Sequence, residues 1–105
     1  MKKRFNINIT ESAKKDILEI IDYYRKTIND LEAAKKFIYK IKDKFSLIAV
    51  YPKCYPLIKN EHVKDKNIRK VVLDNYIIFY IIDDKNKTIM ILRILNGFTD
   101  YYRIL

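Results

Sequence analysis

Glycine, proline, cysteine and histidine are all scarce in this sequence of 105 residues. Its one glycine, Gly97, excludes the glycine-rich loops that cradle phosphate groups. Its one cysteine, Cys54, has no internal partner for a disulfide, which favours a reducing compartment such as the cytoplasm. With a single histidine, His62, the chain lacks the ligands for a closed zinc site, so we expect neither a structural metal nor a cofactor.

Long apolar segments are missing as well. The longest run, Tyr76–Ile82, is far shorter than the roughly 20 residues that span a bilayer. The basic start, residues 1–10, contains only a short apolar stretch broken by asparagines, unlike a signal peptide. We therefore expect a soluble cytoplasmic protein with no membrane partner, folded as one domain over residues 1–105.

Basic residues are abundant. They outnumber acidic residues by 22 to 13, which gives a formal net charge of +9 at pH 7. Such a charge attracts nucleic acid, ribosomes or an acidic protein partner. A solvated lysine-rich surface explains the same surplus, so composition leaves both interpretations open.

The order of periodic segments predicts an α+β fold. The pattern predicts strands at 5–9, 68–73, 76–82 and 88–95, and helices at 11–27 and 30–49 with Thr10 and Asn29 as caps. The short link between the helices predicts an antiparallel helical hairpin, and residues 58–67 are interpreted as a polar surface loop. The expected architecture is β-α-α-β-β-β, with the hairpin packed on an antiparallel sheet of about four strands and a short C-terminal tail.

The two longest strands are apolar on both faces. Alternation places Tyr76, Ile78, Tyr80 and Ile82 opposite Ile77, Phe79 and Ile81, and Ile89, Ile91, Arg93 and Leu95 opposite Met90, Leu92 and Ile94. Both faces need cover, and the helical hairpin covers only one. The second face must be closed by the tail, by a second copy of the chain in a homodimer, or by a partner segment.

No nucleophile elbow, metal-binding helix or pair of histidines occurs in the sequence. Basic and tyrosine side chains near the predicted sheet and tail are the remaining candidates for chemistry. They are Arg69, Lys70, Tyr76, Tyr80, Arg93, Asp100, Tyr101, Tyr102 and Arg103. Such groups can orient phosphates and polarise an RNA 2′-hydroxyl without a metal. Edge charges and half-buried strand tyrosines explain the same residues.

Several stretches carry a resemblance that covers nearly the whole chain. They are a first helix with Ala13, Asp16, Ile17, Ile20 and Tyr23, then Tyr51-Pro52, Pro56-Leu57, Arg69–Leu73, Tyr76–Tyr80, Ile89–Gly97, Asp100 and Ile104-Leu105. In this order they resemble the RelE/ParE superfamily of toxins from bacterial type II toxin–antitoxin modules. The resemblance implies a growth-inhibiting toxin that a cognate antitoxin neutralises.

The superfamily has two branches with different targets. One cuts messenger RNA in the ribosomal A site without a metal, and the other poisons DNA gyrase without a catalytic set of its own. For a ribonuclease, the resemblance implies the catalytic residues Arg69, Arg93, Tyr101, Tyr102 and Arg103. We expect the antitoxin to bind the second apolar face or the helical hairpin, with Phe98, Tyr101 and Tyr102 as contacts.

Departures from the ribonuclease pattern favour the ParE side and gyrase. Ile77 lies where the ribonuclease branch commonly has arginine, and the segment 96–100 carries no base and no extra cation. Loss of a positioned cation commonly lowers the rate by orders of magnitude. A ribosome-dependent ribonuclease is the alternative. The missing charges at Ile77, Phe98 and Thr99 also leave open an inactive toxin-like remnant.

Overall fold

Two helices pack on a four-stranded sheet in a computed structural model that describes residues 4–63 and 66–105. The strands are β1 (Asn6–Ile9), β2 (Arg69–Leu73), β3 (Tyr76–Asp83) and β4 (Thr88–Asn96). The helices are α1 (Glu11–Asp22) and α2 (Leu31–Val50), joined through a π-helical turn at Tyr23–Thr27, and a 3-10 turn follows at Tyr101–Arg103. The predicted α+β class, element order and helical hairpin are confirmed.

The sheet is mixed, with the strand order β1-β4-β3-β2. The antiparallel meander of β2, β3 and β4 is confirmed. β1 runs parallel to β4, with Ile7 beside Ile89, so the expectation of a wholly antiparallel sheet is wrong at this pair. Parallel strands require a long crossover connection, and here the whole helical layer and two strands separate β1 from its partner.

Side-chain caps define where the helices begin. Thr10 Oγ1 accepts a hydrogen bond from the Ala13 N–H at 3.0 Å, which confirms the predicted first cap. Asp30, not Asn29, caps α2 by accepting from the Ala33 N–H at 3.0 Å. Asn29 instead has a φ of 57°, a left-handed conformation that asparagine tolerates, so it ends the connection between the helices.

A β-bulge changes which side chains of β4 face the helices. Phe79 pairs with Arg93 and Tyr80 with Ile91, which leaves Leu92 as the extra residue of β4. Up to Ile91 the predicted alternation holds, but beyond the bulge Ile94 joins the core under the helices and Leu95 packs on the opposite face. The predicted faces of Ile94 and Leu95 are therefore wrong, because strict alternation takes no account of an inserted residue.

The helical hairpin covers one face of the sheet, as predicted. Its buried contributions are Ala13, Ile20, Phe37, Ile41 and Ile48. The opposite face is covered by the segment between α2 and β2, through Ile58, Val63 and Ile68, and by the tail, through Tyr101, Tyr102 and Leu105. The interpretation of 58–67 as a polar surface loop is thus wrong for Ile58 and Val63, while its Lys64 and Asp65 lie outside the described residues.

Beyond the short β1, the free edge of β4 is covered by side chains. Thr10 Oγ1 donates to the Leu92 carbonyl oxygen at 2.8 Å. Asp16 Oδ2 accepts from the Ile94 N–H at 3.0 Å, and the same carboxylate pairs with the Arg93 guanidinium. These side chains give the exposed strand edge the partners that a longer β1 would have supplied.

Replacing Asp16 by alanine should lower the free energy of unfolding by about 2–3 kcal/mol, because the Ile94 N–H and the Arg93 guanidinium both lose their acceptor. Urea unfolding at pH 7 measures this loss. Glu19→Ala removes an exposed carboxylate from the same helix, and it should change the free energy by less than about 0.5 kcal/mol. Equal effects of the two substitutions would contradict the role given to Asp16.

Candidate functional site

Arg93 is bound to the helical layer. Its Nε and Nη2 atoms lie 2.8 Å from the two carboxylate oxygens of Asp16, in a bidentate pair. The Asp16 carboxylate is almost fully buried, and its hydrogen bond raises the pKa of Arg93 above the ordinary value. Arg93 therefore has a structural role in attaching β4 to α1.

Arg69 holds the proline-containing connector, residues 51–57, against the sheet. Its Nη1 donates to the Tyr55 carbonyl oxygen at 2.6 Å and reaches the Lys53 carbonyl oxygen at 3.5 Å. Its neighbour across the strands, Tyr80, donates its hydroxyl hydrogen to the Pro52 carbonyl oxygen at 2.6 Å. Burial raises the pKa of Tyr80 to about 12, although the Arg69 charge acts in the opposite direction. Both side chains thus anchor the connector.

The tail carries the remaining predicted residues. The Tyr101 ring packs 4.9 Å from the Phe79 ring and 4.6 Å from the Tyr102 ring, between centroids. A hydrogen bond with Tyr101 raises the pKa of Tyr102, burial adds to this, and the Lys70 charge opposes it. Arg103 is exposed and its Nε lies 3.0 Å from Asp100 Oδ2. Phe98 projects into solvent with 93% of its surface exposed.

The structure brings together only part of the predicted catalytic set. Tyr101, Tyr102 and Arg103 lie in one turn of the tail, on the face of the sheet opposite the helices. Arg93 is held by α1 and Arg69 by the connector. Each of the three arginines is therefore bound by a different part of the fold, namely the connector, α1 or the tail.

His62 lines a cleft together with residues of the tail, and the sequence did not predict this position. A cleft of about 560 Å³ is lined by His62, Asp100, Tyr102 and Arg103. The segment that carries His62 is attached to the sheet through Ile58 and Val63, and Lys66 Nζ contacts the carbonyl oxygen of Leu105. The apolar residues at 58, 63 and 68 were the available signal that this segment packs on the sheet and approaches the tail.

The cleft contains the groups needed for acid–base chemistry without a metal. An imidazole and a phenol can transfer protons, and a guanidinium can stabilise developing negative charge. The Asp100 carboxylate, 3.0 Å from Arg103 Nε, offsets part of the positive potential of Arg103 in the same cleft. Within residues 4–63 and 66–105, no group of three or more histidine, cysteine, aspartate or glutamate side chains could hold a metal ion.

None of the helices in the described part of the chain is both long and apolar enough to cross a membrane. The longer of the two, α2, has charged residues along its exposed side.

Comparison with known proteins shows which family the chain matches. Residues 7–101 match the family described as "ParE toxin of type II toxin-antitoxin system, parDE". No curated protein is significantly similar to this chain in sequence.

Solved structures share the fold. A chain of the chromosomal ParDE toxin–antitoxin system from P. aeruginosa has a TM-score of 0.68 at 20% identity, covering 89% of this chain and 96% of that chain. A chain of the toxin–antitoxin complex RelBE2 from Mycobacterium tuberculosis has a TM-score of 0.60 at 15% identity, covering 90% of this chain and 99% of that chain. Both are similar to this chain over almost its whole length.

The buried hydroxyl of Tyr80 predicts a loss of stability at alkaline pH. Burial raises the pKa of Tyr80 to about 12 in the folded protein, whereas the unfolded chain has the ordinary pKa of 10.0. The unfolded state therefore binds fewer protons between these values, and the free energy of unfolding falls as the pH rises through them.

Tyr80→Phe should lower stability by about 1 kcal/mol at pH 7, because the Pro52 carbonyl oxygen loses its donor. Its stability should then fall less steeply than that of the unchanged protein above pH 10, as measured by urea unfolding. Tyr39→Phe, at an exposed position of α2, should leave the slope unchanged. Identical slopes for all three proteins would contradict the role of Tyr80.

Proposed function

Because the chain belongs to the ParE toxin family of type II toxin–antitoxin systems, we propose that it arrests bacterial growth by acting on DNA gyrase. One observation carries this choice of target: two of the three arginines of the expected nuclease set are bound within the fold, and the third lies beside a carboxylate. Arg93 pairs with Asp16, Arg69 with backbone carbonyl oxygens, and Arg103 with Asp100. Binding and blocking another enzyme requires no assembled catalytic set. The proposed site of action is the cytoplasm, where the gyrase target lies.

We propose that a cognate antitoxin binds this protein and neutralises it. The two similar structures come from a ParDE system and a RelBE2 toxin–antitoxin complex, and the net charge of +9 favours an acidic partner. We propose the tail as one contact surface, through Phe98, Tyr101 and Tyr102. Tyr101 and Tyr102 already pack on the core cluster that contains Phe79, so Phe98 offers the largest free apolar surface of the three.

The ribonuclease alternative is favoured by one specific feature, the cleft that His62 shares with Tyr102 and Arg103. In this alternative the substrate is messenger RNA on the ribosome. His62 or Tyr102 would move the proton of the 2′-hydroxyl, and Arg103 would stabilise charge on the phosphate. The cleft supplies one arginine, which an adjacent carboxylate partly neutralises, and this weighs against efficient cleavage.

Brief induction of the protein in a bacterial host distinguishes the targets when plasmid supercoiling and transcript integrity are measured together. Gyrase inhibition should stop growth and reduce negative supercoiling while transcripts stay intact. Translation-dependent cuts in transcripts with normal supercoiling would contradict the gyrase proposal. Unimpaired growth at a verified level of folded protein would indicate an inactive toxin-like remnant.

The same assay tests the cleft. If transcripts are cut, His62→Gln and Tyr102→Phe should each reduce cleavage by about 100-fold, the typical share of a general acid or base. Tyr39→Phe removes an exposed hydroxyl from α2 and serves as the matched control. Undiminished cleavage by both cleft variants would exclude these side chains as proton-transfer groups.

Phe98→Ala should weaken antitoxin binding about tenfold, because a largely exposed ring is lost from the proposed contact. Titration calorimetry with the purified product of the adjacent open reading frame measures the dissociation constant. Tyr39→Ala removes an exposed ring from the helical hairpin, the other surface expected to bind the antitoxin. An equal or larger loss of affinity for this variant would place the contact on the hairpin instead of the tail. An unchanged dissociation constant for Phe98→Ala would remove Phe98 from the contact surface.

A further inference from the structure

A second cavity lies away from the tail. It has a volume of about 580 Å³ and is formed where the end of α2, the start of β1 and the turn between β3 and β4 meet. Phe5, Val50 and Pro52 supply apolar surface. Lys53, Cys54, Asp84 and Lys87 add polar groups, and Tyr51 also lines the cavity. None of these residues lines the His62 cleft.

Backbone and side-chain hydrogen bonds fix the walls of this cavity. The Phe5 N–H donates to the Ala49 carbonyl oxygen at 2.9 Å, and the Asn6 N–H donates to that of Lys87 at 2.9 Å. On the opposite wall, the Tyr80 hydroxyl donates to the Pro52 carbonyl oxygen at 2.6 Å. Because the walls are held before any ligand arrives, binding costs little conformational entropy.

The rim of the cavity carries a surplus of positive charge. Lys53 Nζ lies 3.6 Å from Asp84 Oδ2, and this exposed pair is accessible to competing carboxylates. Lys87 Nζ lies 5.2 Å from the centre of the Phe5 ring, at the entrance to the apolar surface. The lining itself therefore carries two lysines and one aspartate.

We propose that this cavity is a separate docking site for the antitoxin, and that it binds an apolar side chain flanked by carboxylates. The proposal rests on the antitoxin partnership given above. The apolar walls match an aliphatic or aromatic side chain, and Lys53 and Lys87 match acidic residues beside it. A nucleic acid backbone would pair with the lysines but leave the apolar surface uncovered, so an acidic protein segment fits the whole site better.

Two variants of the 105-residue chain test the site, one through its volume and one through its charge. Cys54→Trp fills the cavity from an exposed position, and Lys53→Glu/Lys87→Glu reverses the charge at its rim. Each should raise the dissociation constant for the purified antitoxin at least tenfold, about the effect of losing a central contact. Lys15→Glu/Lys36→Glu applies the same charge change to the helical hairpin and should have a smaller effect. An effect as large as that of Lys53→Glu/Lys87→Glu would overturn the assignment of the lost affinity to charge at the cavity.

The Cys54 thiol gives a second readout that needs no substitution. Alkylation of the unchanged protein by iodoacetamide, followed by mass spectrometry, should slow at least about tenfold in the antitoxin complex, because the bound segment covers the cavity. This measurement tests whether the antitoxin covers the cavity even if Cys54→Trp fails to fold.

The outcomes separate this site from the proposed function. Unchanged affinity of the folded variants, or unchanged Cys54 labelling in the complex, would overturn the cavity as a docking site and leave the antitoxin partnership intact. A wild-type chain that forms no complex with the antitoxin would overturn the partnership itself.

Discussion

The carboxylate of Asp16 connects the two layers of the fold at the point where the sheet lacks a strand. β1 is only four residues long, so β4 continues past it with backbone groups exposed at its edge. Asp16 lies on α1 and accepts from both the Ile94 N–H and the Arg93 guanidinium. The helix is therefore fixed to the strand by directional bonds as well as by apolar packing. A buried carboxylate is stable here because the cation and the N–H group both satisfy it.

This arrangement explains which parts of the fold sequence reasoning could predict. Apolar periodicity and the Thr10 cap depend on neighbouring residues, so both helices and the β3–β4 hairpin were predictable. The parallel pairing of β1 with β4 depends on residues more than 80 positions apart, such as Ile7 and Ile89, and no local pattern encodes it. The bulge at Leu92 also lacks a local signal, because the extra residue is apolar like its neighbours.

The candidate site was harder to predict, because residue type does not reveal what a side chain binds. The sequence shows Arg69, Arg93 and Arg103 and not what each one binds. In the structure Arg69 binds backbone carbonyl oxygens, Arg93 binds a buried carboxylate, and Arg103 pairs with an exposed carboxylate. His62 lines a cleft with Tyr102 because Ile58 and Val63 attach its segment to the sheet, and the residue type alone does not indicate this position. The fold thus commits two of the three arginines to its own stability and leaves the tail and the cleft beside it available for partners.

The position of β4 has a consequence for how the protein is made. β4 is synthesised after β1, β2 and β3, yet it lies between β1 and β3 in the sheet. While the ribosome is still translating, β1 has no strand to pair with, and the helical hairpin has no complete apolar surface to cover. Long-range pairing of this kind forms late and slowly. An unfinished chain therefore cannot present the folded surfaces described above, and a cell that makes this protein meets those surfaces only after β4 has left the ribosomal exit tunnel.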